Sequence, residues 1–265
     1  MAGRVRLGLL TPSSNTVLEP RAAAVLAGLE DVSAHFGRFR VIEISLEKEA
    51  LDQFTFEPQL QAAELLADAR VDVIAWAGTS GGWVGVENDR ALSRKITERT
   101  GVPATTSTIA TLAALDAFGA KTYALVTPYL RDVQEAIQKN FRAEGYSCVA
   151  ERHLEDKGNF SFSEYDEETI ARMMRDVASA SPRAIAVYCT NFDGTRVAPL
   201  VEAELGIPVI DSISCTIWHA MRLAGCDPAR VAGWGRLFSI GRSGETAPAD
   251  PSVPRQATNS AASGK

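Results

Sequence analysis

One half of this sequence answers the other. Leu10-Thr11-Pro12 returns as Val126-Thr127-Pro128, Val73-Ile74-Ala75 as Ala184-Ile185-Ala186, and Thr100-Gly101-Val102-Pro103 as Leu205-Gly206-Ile207-Pro208. Each half then continues in the same way, from Ser107-Thr108-Ile109 to Gly119 and from Ser212-Ile213-Ser214 to Gly225. The offset drifts only from roughly 116 to about 105 positions, as two homologous lobes with small loop differences require. Two lobes imply a cleft between them.

Within each half, strand-like runs alternate with amphipathic helical ones. Val5–Leu10, Arg40–Ile44, Val71–Ala77, Thr122–Val126, Cys148–Arg152, Ala184–Cys189 and Pro208–Ile210 read as apolar, β-branched strands of the kind buried in parallel sheets. Gln59–Ala69, Ala91–Arg99, Ile109–Phe118, Val133–Glu144, Glu167–Ala178, Val197–Glu204 and Ile217–Leu223 read as helices. This alternation predicts an α/β fold of two pseudo-symmetric lobes, each a parallel sheet flanked by helices. The expected boundaries are 1–119 and 120–240, with the last helix of one lobe free to pack on the other. Residues 241–265 shift to Ala, Ser, Pro, Gly and Thr without apolar periodicity and are expected to be a disordered tail.

At 265 residues and 46% hydrophobic content the chain can bury a sizeable core. A formal charge of −6 without clustered Lys and Arg argues against a nucleic-acid surface. It does not exclude a small carboxylate, which a few aimed donors can hold locally. No apolar run approaches the roughly 18 residues of a membrane span, and Met1 to Arg6 lead straight into a strand. The expectation is a cytoplasmic protein that binds neither membrane nor nucleic acid; a homo-oligomer stays open. Cys148, Cys189, Cys215 and Cys226 show no metal-ligand spacing, which predicts free thiols and no metal. With GxGxxG and GxxxxGK[ST] absent, no nucleotide cofactor is implied.

Chemistry is expected where apolar runs give way to polar turns at strand ends. In the second half this is Ala186-Val187-Tyr188-Cys189-Thr190-Asn191-Phe192-Asp193-Gly194; in the first it is Ile74-Ala75-Trp76-Ala77-Gly78-Thr79-Ser80-Gly81-Gly82, with Gly78 where the cysteine would stand. A thiol can serve as acid, base or nucleophile when its surroundings tune it, and a place ahead of a helix beside the Thr190 and Asn191 amides would favour the thiolate. The plainer reading is an inert buried cysteine. The hydroxyls and amides of Thr79 and Ser80 could converge on a carboxylate oxygen as an oxyanion hole, or simply shape a tight turn and a helix cap. Tyr129 brings a phenol to the mouth of the second lobe, with an ordinary half-buried tyrosine as the alternative. Asn15 could donate two hydrogen bonds to a second substrate carboxylate, although Ser13-Ser14-Asn15 is also an N-cap signature. His35, His153 and His219 read as solvated or structural, and Cys148, Cys215 and Cys226 as structural.

Taken together, Thr11-Pro12-Ser13-Ser14-Asn15-Thr16, Gly78-Thr79-Ser80, Thr127-Pro128-Tyr129 and the strand-end Cys189 resemble the aspartate/glutamate racemase superfamily. The closer resemblance is to its maleate cis-trans isomerase and arylmalonate decarboxylase branch, over about residues 5 to 240. It implies a cofactor-free enzyme that makes and quenches a carbanion or enediolate next to a carboxylate. Members usually carry two cysteines, one per lobe, facing opposite sides of the substrate; Gly78 departs from that pattern. The resemblance gives the Gly78-Thr79-Ser80 turn and Tyr129 to the developing enediolate.

One thiol limits the chemistry. Racemisation needs proton transfer on both faces, and neither Thr79 nor Ser80 has a suitable pKa. Cis-trans isomerisation in this branch uses the first-lobe cysteine as nucleophile, which Gly78 removes. Decarboxylation needs one proton donor and a stabilised enediolate, which Cys189, the Gly78-Thr79-Ser80 turn and Tyr129 would supply. Pro12-Ser13-Ser14-Asn15 is nearer the isomerase pattern. Narrower phrases, Arg6 to Pro20 and Val32 to Arg40, are similar to the racemase-like ectoine-utilisation A proteins, which implies a role in ectoine or hydroxyectoine breakdown. The expectation is an isomerase or decarboxylase acting beside a carboxylate of a small (di)carboxylic or amino acid; a carboxylate binder that lost one catalytic residue is the non-enzymatic alternative.

Overall fold

The computed structural model of the chain describes residues 3–240, so the expected tail lies outside the described residues. Eight strands form two four-stranded parallel sheets. In the first, β1 (Val5–Pro12), β2 (Val32–Phe39), β3 (Val73–Trp76) and β4 (Ala104–Thr106) lie in the order β2-β1-β3-β4. In the second, β5 (Thr122–Val126), β6 (Ser147–Arg152), β7 (Ile185–Val187) and β8 (Val209–Asp211) repeat that order as β6-β5-β7-β8. The fold is therefore the two-lobed α/β architecture that the repeat predicts.

Among the described residues ten α-helices flank the sheets. They are α1 (Leu18–Leu26), α2 (Lys48–Leu51), α3 (Phe56–Asp68), α4 (Gly81–Val84), α5 (Val86–Thr100) and α6 (Ser107–Ala117) in the first half. The second half has α7 (Arg131–Ala143), α8 (Glu167–Ala178), α9 (Ala198–Leu205) and α10 (Ser212–Leu223). Among the described residues no helix is long and apolar enough to cross a membrane.

The repeated phrases do the same local work twice. Gly101 and Gly206 close α5 and α9 at φ 73° and 67°, the left-handed region where a Cβ is strained, and their amides bond back to Thr97 and Glu202. A proline follows each glycine at the second position and stops any continuation. Thr106 and Asp211 then cap α6 and α10, accepting from the Ile109 and Ser214 amides. These two helices pack against each other across the lobes, with Ser107 Oγ 2.7 Å from Thr216 Oγ1. α10 also packs on β1, β3 and β4 of the first sheet.

One expectation needs correction. The strand expected at Arg40–Ile44 is a loop, and the strand that pairs with β1 is β2, which starts eight residues earlier and runs from Val32 to Phe39. β2 is an edge strand with most side chains half-exposed, so Ser33, His35, Gly37 and Arg38 break the apolar pattern of a central strand. β3 and β7 lie mid-sheet, and every residue in them is buried.

Candidate active site

Gly78 and Cys189 each stand two residues beyond a central strand, β3 and β7 respectively. The repeat thus places them at matching points of the two sheets, facing one cavity. That cavity is about 20 Å³, room for little more than one water molecule, and both lobes line it. From the first lobe come Pro12, Gly78, Thr79 and Ser80; from the second come Tyr129, Cys189 and Thr190. Six of the eight residues expected from the sequence are therefore together.

Thr79 Oγ1 and the Tyr129 hydroxyl share a hydrogen bond of 2.7 Å across the lobe boundary. The phenol is fixed by rings on two sides, Trp83 at 5.2 Å and Phe162 at 5.4 Å between centroids, both edge-on. Burial drives the Tyr129 hydroxyl well above its ordinary pKa, so it remains a donor. The Ser80 hydroxyl accepts from the Trp76 indole at 3.1 Å, leaving its own proton free to donate.

The Cys189 sulfur accepts from the Asn191 amide at 3.4 Å. Burial pushes its pKa up to about 12, against the Tyr129 hydroxyl and the Asn191 and Phe192 amides, which favour the thiolate. The thiolate expected from a following helix is thus not the resting form. The helix is displaced: residues 190–197 are a loop that includes turns, and α9 begins only at Ala198. With the cavity closed, Cys189 is a neutral thiol, a proton donor in waiting rather than a standing nucleophile.

Asn15 and Asn191 lie outside the cavity lining. The Asn15 amide donates to Thr190 O and Oγ1 at 3.1 and 3.2 Å, while its carbonyl accepts from the Val17 and Leu18 amides at the head of α1. Asn191 reaches back with its carbonyl to the Thr16 and Val17 amides, and its side-chain amide donates to Asn159 O at 2.6 Å. Thr190 Oγ1 donates to Ala77 O, and Arg21 forms a bidentate pair with Asp193, Nε to Oδ1 at 2.8 Å and Nη2 to Oδ2 at 2.5 Å. The loop carrying the thiol is fastened to the first lobe at four points.

Gly78 is a space as well as an absence. A Cβ there would fall 2.1 Å from the Trp76 ring, which folds over the glycine toward Ser80. Val187 holds the matching position before Cys189, so the second lobe has room for a side chain and the first does not. Sequence reasoning missed Trp76. It also missed the cavity's roof, Val41, Ile44 and Phe54, because the connection between β2 and α3 has no chemical signature. This roof is clasped to the second lobe: Ile44 N donates to Lys157 O at 2.9 Å, and Asn159 Nδ2 donates to Ser14 Oγ, which donates to Val41 O. Among the described residues no group of three or more His, Cys, Asp or Glu could hold a metal ion.

Comparison with known proteins places this geometry. The sequence model described as arylmalonate decarboxylase matches residues 7–238. The arylmalonate decarboxylase of Bordetella bronchiseptica is 28% identical over 235 residues, covering 88% of this chain and 95% of that protein. A maleate isomerase of Pseudomonas putida is 26% identical over 246 residues, covering 88% and 97%. A cysteine-to-alanine variant of the maleate isomerase Iso from Pseudomonas putida S16, solved with maleate, aligns with a TM-score of 0.82 at 26% identity, over 89% of this chain and 98% of that one.

Proposed function

The chain belongs to the arylmalonate decarboxylase family, and from that premise we propose that it acts at a carbon next to a carboxylate of a small acid, with Cys189 as its single proton-transferring group. The substrate carboxylate receives hydrogen bonds from Thr79, Ser80 and Tyr129. As a bond at the adjacent carbon breaks, its electrons move into this carboxylate and give an enediolate, whose new charge the same donors hold. Cys189 then gives its proton to the carbon from the second-lobe side, and the thiolate takes a proton back from water.

The observation that carries this reading is the Cys189 thiol lining one cavity with the Thr79–Tyr129 hydroxyl pair, with Trp76 occupying the place a partner thiol would need. A protonated cysteine suits delivery to a carbanion. Loss of CO2 from a malonate fits such a site, since the bond broken needs no base. Cis-trans isomerisation of maleate is the second reading, favoured by the close superposition on the maleate-bound structure; it would require Cys189 to add to the double bond as thiolate and leave after rotation. The place in ectoine or hydroxyectoine breakdown rests on the sequence phrases around β1 and β2.

The test is incubation in D2O with candidate acids, followed by NMR. We expect deuterium to enter beside the carboxylate and Cys189→Ala to abolish it. CO2 release from malonates identifies the decarboxylase, and fumarate from maleate the isomerase. Saturable carboxylate binding with no exchange, no CO2 and no fumarate would overturn the proposal in favour of a binding protein.

A further inference from the structure

Behind the Gly78-Thr79-Ser80 turn, on the side away from the cavity, lies a carboxyl group that the reaction above does not use. Asp89 on α5 is fully buried, and neither of its oxygens has a partner in hydrogen-bond geometry. The other fully buried aspartate, Asp211, has an evident task, since it caps α10 and accepts from Ser214 N at 2.9 Å and Thr195 Oγ1 at 3.1 Å. Asp89 caps nothing. An unpaired buried carboxylate is costly enough that its retention calls for a reason.

Its neighbours supply one. A Cβ on Gly81 would fall 2.3 Å from the Asp89 carboxyl carbon, and one on Gly82 would fall 2.6 Å from the Tyr188 ring and 2.8 Å from its hydroxyl. The two glycines that follow Ser80 are thus the dents into which Asp89 and Tyr188 press. Tyr188 donates to Thr79 O at 3.1 Å and shares a hydrogen bond of 2.8 Å with Thr108 Oγ1. The hydroxyls of Thr108 and Thr106 in turn are the groups that favour the ionised form of Asp89. A row of groups therefore runs from Asp89 through Thr108 and Tyr188 to the carbonyl of Thr79, whose side chain faces Tyr129.

Counting protons along this row gives two arrangements. Tyr188 has one O–H; while it donates to Thr79, Thr108 must donate to Tyr188 and has no proton left for Asp89, which leaves the carboxyl without a partner, as found, and favours its neutral form. When Asp89 is ionised, the Thr108 proton turns toward the carboxylate and the Tyr188 proton is drawn to Thr108, away from Thr79. A carbonyl cannot pass a proton on, so the row orients the turn and does not feed the reaction.

We propose that Asp89 is a positioning residue, whose carboxyl sets the direction of the Thr108–Tyr188 hydroxyl row and thereby holds or releases the backbone of Thr79. This deepens the oxyanion role given to Thr79 above and rests on that role for its effect on turnover. The groups that face Asp89 are Thr106 and Thr108 at the start of α6, Gly81 of α4 and the Tyr188 phenol from the second lobe; none is a cation. Burial pushes the carboxyl up to about 6, so both arrangements are reached in ordinary buffers.

The experiment is a pH titration of protein carrying 13C at aspartate carboxyls and at the tyrosine carbon bearing the hydroxyl, with Asp89→Asn and Tyr188→Phe assigning the signals. We expect the Tyr188 signal to move in the same pH window as the Asp89 carboxyl. In Asp89→Asn, whose amide always donates to Thr108, the Tyr188 signal should stay at its acidic position. In Thr108→Val, Asp89 should still titrate while Tyr188 no longer follows. A Tyr188 signal that stays fixed in the wild type while Asp89 titrates would overturn the proposal, as would an Asp89 carboxyl that does not titrate between about pH 5 and 8. Should Asp89→Asn fail to fold, Asp89→Glu, which removes the labelled aspartate signal, assigns it, and the wild type and Thr108→Val still decide. On a substrate found by the deuterium experiment, kcat in Asp89→Asn should lose the corresponding inflection of its pH profile. The NMR arm stands if no such substrate exists, which separates this proposal from the functional reading.

Discussion

At the scale of single residues the site is defined by who occupies which room. Trp76 folds into the place a first-lobe thiol would need, so the asymmetry of the pair is built into packing as well as sequence. Gly78→Cys should therefore cost roughly 1–3 kcal/mol by overpacking, read as a lower urea midpoint. In combination with Trp76→Val, the total cost should fall short of the sum of the two single costs, because the smaller side chain frees the space that the new one needs. Tyr129→Phe removes one donor to the developing charge and leaves the packing of the ring, so kcat should fall on the order of 10²-fold or more with little change in melting temperature. The positions of Cys189, Thr79, Ser80 and Tyr129 were legible because each ends a repeated strand phrase. The protonation of Cys189 was not, since the amides that favour a thiolate can be read from neighbours in sequence, whereas burial to a pKa of about 12 depends on residues far away in the chain.

At the scale of elements, the repeat explains more than the hydrophobic pattern does. Strands that lie in the middle of a sheet were readable from their apolar runs, and caps recur in both halves. α1 went unseen because Pro20 interrupts it, yet the third position of a helix has no amide partner to lose. Asn15 at its head joins this helix to the thiol loop, spending its amide and carbonyl on Thr190, Val17 and Leu18. Asn15→Ala should strand buried donors and lower stability by roughly 1–3 kcal/mol, measurable by denaturant unfolding. A role in holding substrate would instead show as a raised KM without that loss.

At the scale of the whole molecule, Asp89, Asp211 and His219 are buried groups whose titration adds to the pH dependence of stability in weak acid. Asp89 and Asp211 are raised to about 6 by burial, and His219, at 2.9 Å from Thr105 at the lobe interface, is lowered to about 4. The two carboxyls contribute stability that is fully present below the unfolded value of about 3.9 and is lost as pH rises through about 6. The neutral imidazole contributes stability that is present above about 6.5 and is lost as pH falls toward about 4. Between those limits the folded chain takes up two protons at these sites and the unfolded chain one. Calorimetry should show the melting temperature of His219→Gln gaining on that of the wild type as pH falls from 6 to about 4.5, since the variant lacks the titration that opposes folding there.

The clasp over the cavity joins a loop of one lobe to a loop of the other, through Ile44 and Lys157 and through Ser14 and Asn159. A space fit for one water must widen to admit an acid, and Val41, Ile44 and Asn159 of the clasp form part of its wall. The cavity and the seam between the lobes thus share residues, so widening the one should draw on the grip that keeps the halves together. A variant that tightens the seam will gain heat resistance and lose traffic, and selection for speed will keep the fastening modest.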